Sequence, residues 1–305
     1  QATASSQSER AAVTKPKLFR DGISSFAEDG FTINGRPTFY IVIIMVAVFG
    51  AASYFLQEHV LSANSAHVVF LVGSYVVFSS YFTFDYFLRQ YSSSYSKIPD
   101  DKRFYVLMNL IKSGVLLSYT PMAMQLLYET LALDVWNSNK IRIMGTLYCI
   151  PDFVSLFVVR KMAKSTQIHH VVVCVFNVVS VYNDYTQENV IRAIMVYAVF
   201  STFAYLVNLL LASRFLPTTY LMRVILSATA LVIYVACCAI NWFWQVWFLS
   251  TIISTQFVYV VVYACLVLML VSDDVILMQW LGKNLKRNAA GNPFASAKKT
   301  NEKKS

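Results

Sequence analysis

Between residues 38 and 272 the chain is a succession of apolar runs broken by short polar loops. Each run is about 20 residues long, the length a helix needs to cross the hydrocarbon core of a bilayer. The pattern predicts about eight spanning helices, over 38–57, 67–88, 104–128, 141–159, 167–182, 190–213, 220–241 and 245–272. The polar positions inside these runs carry the information. The fifth run opens on His169 and His170 and ends its first apolar stretch at Asn177. The fourth carries Asp152 within Gly145-Thr-Leu-Tyr148-Cys-Ile-Pro-Asp152-Phe-Val-Ser155. The sixth carries Tyr197, Ser201, Tyr205 and Asn208 at spacings of four, four and three, one stripe of a helical surface. Polar groups in hydrocarbon are costly and face a bundle interior, so any function is expected there.

Composition agrees with the pattern. Hydrophobic residues make up 57% and charged residues 13%, too little charge for the surface of a soluble domain. The fold class is therefore all-α, a polytopic transmembrane helix bundle. Basic residues set its orientation. They cluster in the N-terminal segment (Arg10, Lys15, Lys17, Arg20, Arg36), in the second loop (Arg89, Lys97, Lys102, Arg103) and in the fourth (Arg160, Lys161, Lys164). Arg214 and Arg223 flank the sixth loop, and Lys283, Lys286 and Arg287 begin a basic tail. The alternate loops hold Lys140, Arg142 and Arg192. Both termini are thus expected on the inside, cytosol or matrix. The net charge of +9 reads as this topology signal plus attraction to anionic lipid, and the scattered basic residues give no nucleic-acid surface.

Three regions follow: a basic N-terminal segment over 1–37, a membrane domain over 38–282 and a basic, disordered tail over 283–305. The chain opens on Gln1, which points to a fragment or a processed protein. A cleaved matrix presequence would obey the charge rule, so the mitochondrial inner membrane is the expected location, with the endoplasmic reticulum as runner-up. Residues 19–26 are expected as a short surface helix and 34–37 as a turn. The five cysteines fall within predicted spans without metal or redox spacing and read as packing residues.

Two charged residues lie inside the apolar runs. Lys112 is nine residues past Arg103 and Asp152 eight before Arg160, so both sit roughly 12–13 Å deep from the same face. A facing ion pair is one reading; snorkelling of Lys112 and a ligand-binding role are the others. Asp85 is expected to pair with Arg89 on the surface, and 92–101 to form a polar loop. Pro121 and Pro151 interrupt two spans. Trp242, Trp244 and Trp247 are expected to mark the outer turn of the last hairpin. Asp273 and Asp274 are expected to end the last span, with 275–285 as an interfacial continuation.

Adjacent histidines on a helix diverge by about 100°, so His169 and His170 face different neighbours. His59 and His67 lie near the opposite end, and no third ligand is in reach, so no metal site is expected. The segment from Gly145 to Asp152, the basic loop and Ile168-His169-His170 resemble the central motif of the TLC domain. That family includes longevity-assurance ceramide synthases, translocon-associated membrane proteins and lipid-homeostasis proteins. Phe200-Ser201-Thr202-Phe203-Ala-Tyr205-Leu-Val-Asn208 is similar to the polar helix of its non-synthase branch. The resemblance implies a six-helix TLC-like barrel. It also implies that catalysis, where present, is acyl-CoA-dependent acyl transfer at His169, His170 and Asp152. The His-Asp-x-x-Asp element of the synthases has no counterpart here, and no carboxylate besides Asp152 is placed to orient the histidines unless the fold brings Asp85 across.

The expected function is therefore non-catalytic: a lipid-binding or structural accessory subunit of a larger organellar membrane complex. Its partners are membrane lipids and other membrane-protein subunits. Lys112, Tyr148, Asp152, His169, His170, Asn177, Ser201, Tyr205 and Asn208 are expected to line its cavity. It needs no cofactor. An ordered phospholipid is the expected ligand, and acyl-CoA would matter to an enzyme alone.

Overall fold

The computed structural model describes residues 38–60, 65–216 and 218–290. The predicted helix at 19–26, the turn at 34–37 and the tail beyond 290 lie outside the described residues. Among the described residues the chain is helical, with no strand. Helix α1 (Thr38–Phe55) runs into a π-helical turn at Leu56–Val60, and α2 (Ala66–Tyr91) is followed by the short α3 (Ser93–Ser96). Then come α4 (Asp100–Leu127), a second π turn at Tyr128–Ala132, α5 (Ser138–Val158) and α6 (Lys164–Tyr182). Helices α7 (Ile191–Ser201) and α8 (Tyr205–Ser213) form one rod tightened by a 3-10 turn at Thr202–Ala204, and α9 covers Tyr220–Ala290.

Local chemistry explains the starts. The Ser65 hydroxyl accepts the Val68 N–H ahead of α2, and Asn137 Oδ1 accepts the Lys140 N–H at 3.0 Å ahead of α5. Pro99 precedes α4, whose first turn holds Asp100 and Asp101 against the positive end of the helix dipole.

Five helices are long and apolar enough to cross a membrane: α2, α5, α6, the α7–α8 rod over Ile191–Ser213, and α9. This is the build of an integral membrane protein. The outer face of α2 exposes Val68, Leu71, Val72, Tyr75 and Val76, a continuous apolar surface suited to lipid and not to water. Its inner face approaches α5 closely. A Cβ on Gly73 would lie 2.5 Å from Ile150 Cδ1, the tip of a side chain that would have to turn aside.

The last helix departs from expectation. Two spans meeting near Trp242 are predicted; the structure has one helix with its break at Gln256 (φ −129°, ψ 34°). Contacts between its arms show a hairpin. Tyr220 bonds to Ala289, Asn284 to Ser227, Tyr234 to Asp274 and Tyr263 to Gln245, the partners closing on the break from both sides. The tryptophans therefore lie within the first arm, where Trp244 stacks on Phe248 at 4.8 Å. No Gly or Pro interrupts 241–245. Asn241 and Gln245 mimic a loop in the sequence but are buried, Gln245 Nε2 donating to the Ala193 carbonyl at 2.9 Å. At the tip, Gln256 accepts the Val190 N–H and donates to the Glu188 carbonyl. The second arm runs through Asp273 and Asp274, which thus lie inside the helix, and past the expected boundary at 282 as far as Ala290.

Contacts define two ends of the bundle. At one, Lys161 Nζ meets Asp101 Oδ2 at 2.9 Å, Tyr105 packs on Phe215 and Arg214 lies over Trp280. The Lys161 ammonium holds the Asp101 carboxyl below its ordinary pKa. This is the basic end. At the other, Ser138 donates to Asp184, Arg142 to the Asn183 carbonyl, and Arg192 lies 4.2 Å from the Trp136 ring centre. Asp85 pairs with Arg89 at 2.6 Å as expected. It is nevertheless buried, because the presumed polar loop folds as α3 and brings Tyr95 Oη to it at 2.8 Å. All five cysteines are free, with Cys149 and Cys174 in contact across α5 and α6 at 3.8 Å.

Candidate functional site

Three helices bring the first cluster together. Lys112 from α4 reaches Asp152 of α5, Nζ to Oδ1 at 2.5 Å, with the Asp152 side chain fully enclosed. Of the three readings open for Lys112 and Asp152, the facing ion pair is formed, and Lys112 does not snorkel. Its ammonium also lies 5.6 Å from the Tyr148 ring centre. From α6, His170 turns Nε2 to the same Asp152 oxygen at 3.3 Å and Nδ1 to Ser155 Oγ at 2.8 Å. The Ser155 hydroxyl also donates to the Asp152 carbonyl at 2.7 Å, so its oxygen joins His170 to the α5 backbone. Both nitrogens of His170 face protein groups, Nδ1 in a hydrogen bond and Nε2 at ion-pair distance.

His169 diverges, as adjacent helical positions must. Its Nδ1 lies 3.4 Å from Asp273 Oδ2 of α9. That is ion-pair distance without hydrogen-bond alignment, and Nδ1 remains buried without a hydrogen-bond partner. The neighbouring Asp274 accepts two phenols, from Tyr197 of α7 and from Tyr234 of the first α9 arm. A carboxylate beyond Asp152 does lie near the histidines: Asp273 stands at ion-pair distance from His169, while Asp85 stays with Arg89 and Tyr95. A contact between positions so far apart in the chain depends on the α9 hairpin, which the helical pattern does not reveal.

These clusters border a cavity of about 260 Å³. It extends from Arg214, Trp280, Ser165 and Thr166 at the basic end to Lys112, Tyr148 and His170 in the interior. Asn109, Ser201, Asn208, Tyr234, Asp273 and Asp274 add polar groups to its wall. Behind it lies a smaller chamber of about 40 Å³, largely apolar, lined by Met144, Val173, Phe176, Ile194 and Leu270. Tyr148 and His169 border both spaces.

The predicted residues separate accordingly. Lys112, Tyr148, His169, His170, Ser201 and Asn208 line the large cavity, and Asp152 stands directly behind Lys112 and His170. Asn177 lines the small chamber and accepts from Thr146 at 3.3 Å. Tyr205 lines neither. Ser201, Ala204, Asn208 and Leu211 form the stripe along the cavity, so Tyr205 falls beside it and its ring packs half-buried against the core. Asp273, Asp274, Tyr234, Asn109, Arg214 and Trp280 were not anticipated. Two adjacent acids inside a membrane-grade run were the available signal for Asp273 and Asp274. Among the described residues no group of three or more His, Cys, Asp or Glu is placed to hold a metal ion.

No family model matches the chain, and no curated protein or solved structure matches it.

Proposed function

We propose that this is a lipid-binding integral membrane protein, a non-catalytic accessory subunit of a larger organellar complex. One observation carries the reading: a polar cavity at the basic end, beside an apolar chamber with which it shares Tyr148 and His169. At about 260 Å³ it is slightly below the roughly 300–1,000 Å³ of pockets that enclose drug-sized ligands. It suits a headgroup better than a whole lipid. The acyl chains would lie against the apolar outer faces of the bundle. The burial of His170 between Ser155 and Asp152 supports a structural role for that residue.

The architecture we propose is an eight-span bundle containing a six-helix TLC-like barrel, with α9 contributing two spans. The meeting of Asp152 with His170 supports the likeness, and the gathering of Arg214, Lys161 and the second α9 arm at one end supports a single inside face. We favour the mitochondrial inner membrane, the basic end facing the matrix, over the endoplasmic reticulum. Cysteines introduced at Ser94 and Lys298 are expected to react with an impermeant maleimide from one side, and one at Asn137 from the other. Reaction of Ser94 and Asn137 from the same side would rule out this topology.

A second reading has its own observation. His169 faces Asp273 on the cavity wall, an imidazole–carboxylate arrangement suited to acid–base chemistry and hence to an acyl-CoA-dependent acyltransferase. Two measurements separate the readings. Mass spectrometry of the purified protein is expected to find stoichiometric phospholipid surviving detergent washing. Incubation with a long-chain acyl-CoA and a sphingoid base is expected to yield no product. Turnover abolished by His169→Ala would make the protein an enzyme and overturn the first reading.

A further inference from the structure

Two opposite charges face the large cavity without meeting each other. Arg214, at the basic end, lies over the rings of Trp280 and Phe215, 5.3 and 5.8 Å from their centres. Among the described residues it has no carboxylate within ion-pair distance. Deeper in, Asp273 keeps a side chain 20% exposed. Its neighbours there, the His169 imidazole and the Ser165 hydroxyl, supply no permanent cation. The other charges on the wall are engaged: Lys112 by Asp152, and Asp274 by two phenols. The cavity therefore offers one cation at its mouth and an acidic pair inside, of which Asp273 is the more exposed member and Asp274 is held by the phenols.

We propose that the site selects a zwitterionic headgroup carrying a primary amine, the phosphoethanolamine type. The phosphate sits at Arg214 and the ammonium at Asp273. This assignment rests on the lipid-binding reading above and goes on to name the ligand's chemistry. Arginine matches phosphate geometrically as well as electrostatically. A purely anionic headgroup would bring negative charge towards the adjacent Asp273 and Asp274, where like charges in a low dielectric repel strongly. A cationic amphipath without phosphate would leave Arg214 unmatched. A choline headgroup has the right charges, but its quaternary nitrogen donates no hydrogen bond to Asp273. It would rely on aromatic faces, and of those on the wall Trp280 already carries Arg214 and Tyr148 the Lys112 ammonium.

The test is lipid competition on the full chain. The purified protein is equilibrated with vesicles containing equal parts of phosphatidylethanolamine, phosphatidylcholine and phosphatidylglycerol, re-extracted, and its retained lipid counted by mass spectrometry. Phosphatidylethanolamine is expected to be enriched about tenfold over phosphatidylglycerol. Asp273→Asn should abolish that preference while total phospholipid persists, and Asp273→Glu should keep it. Arg214→Gln should lower retention of all three lipids, with partial recovery in Arg214→Lys. Thermal unfolding of each variant shows whether it is folded, and the Glu and Lys variants keep the proposal testable if the others are not. If no phospholipid is retained at all, the lipid-binding reading fails and this assignment with it. If phospholipid is retained without headgroup preference, or if the preference survives Asp273→Asn, the assignment alone fails. An equal thermal shift from soluble phosphoethanolamine would overturn the membrane as the ligand's source.

Discussion

Asp152→Asn is expected to destabilise the bundle by about 3–5 kcal/mol, and by more than the double change Lys112→Met with Asp152→Leu. Asp152 is fully enclosed, and its Oδ1 receives both the Lys112 ammonium at 2.5 Å and the His170 imidazole at 3.3 Å. Neutralising the acid alone leaves a cation in the interior with no counter-charge, and a cation is costly to hold away from water. Removing both charges leaves side chains of similar bulk that pack without desolvating an ion. A buried pair is thus hard to break from one side and easy to replace as a unit. Unfolding of the two variants in mixed micelles measures this directly. Equal losses would mean that the pair contributes no specific coupling and that α4 and α5 are held by apolar packing.

That pair could be placed from the sequence because it depends on one-dimensional counting. Lys112 and Asp152 lie on neighbouring antiparallel helices that begin and end at the same basic face, so equal distances from flanking arginines imply equal depth. The divergence of His169 and His170 followed in the same way from helical geometry. What escaped depends on where non-adjacent helices meet. Asp273 reaches His169 because α9 passes the first position where a polar gap suggests a turn and reverses at Gln256. Asn241 and Gln245 look like loop residues in sequence; their buried hydrogen bonds are visible in three dimensions alone. Tyr205 was misplaced for a local reason: the cavity stripe runs through Ser201, Ala204 and Asn208, and an alanine holds the place that the polar pattern assigned to the tyrosine. Arg214 reads as a topology signal in the sequence, yet it also lines the cavity.

The histidine pair is expected to divide under mutation. His170→Ala should cost about 2–4 kcal/mol, whereas His169→Ala should cost under about 1 kcal/mol and act on lipid retention instead. His170 is 3% exposed and bridges Ser155 to Asp152, so its removal opens a void and strips a hydrogen-bond partner from a buried hydroxyl. It also leaves Lys112 as the remaining contact of Asp152 Oδ1. His169 has a side chain 15% exposed on the cavity wall, where lost contacts can be replaced by ligand or by water. Its removal would enlarge the cavity beside Asp273 and merge it with the apolar chamber that it helps to close off. Retained phospholipid, counted per chain, should therefore change in the His169 variant at nearly unchanged melting temperature. Equal destabilisation by both changes, with lipid unaffected, would show that the two residues act as one structural unit and that the cavity wall has no part in binding.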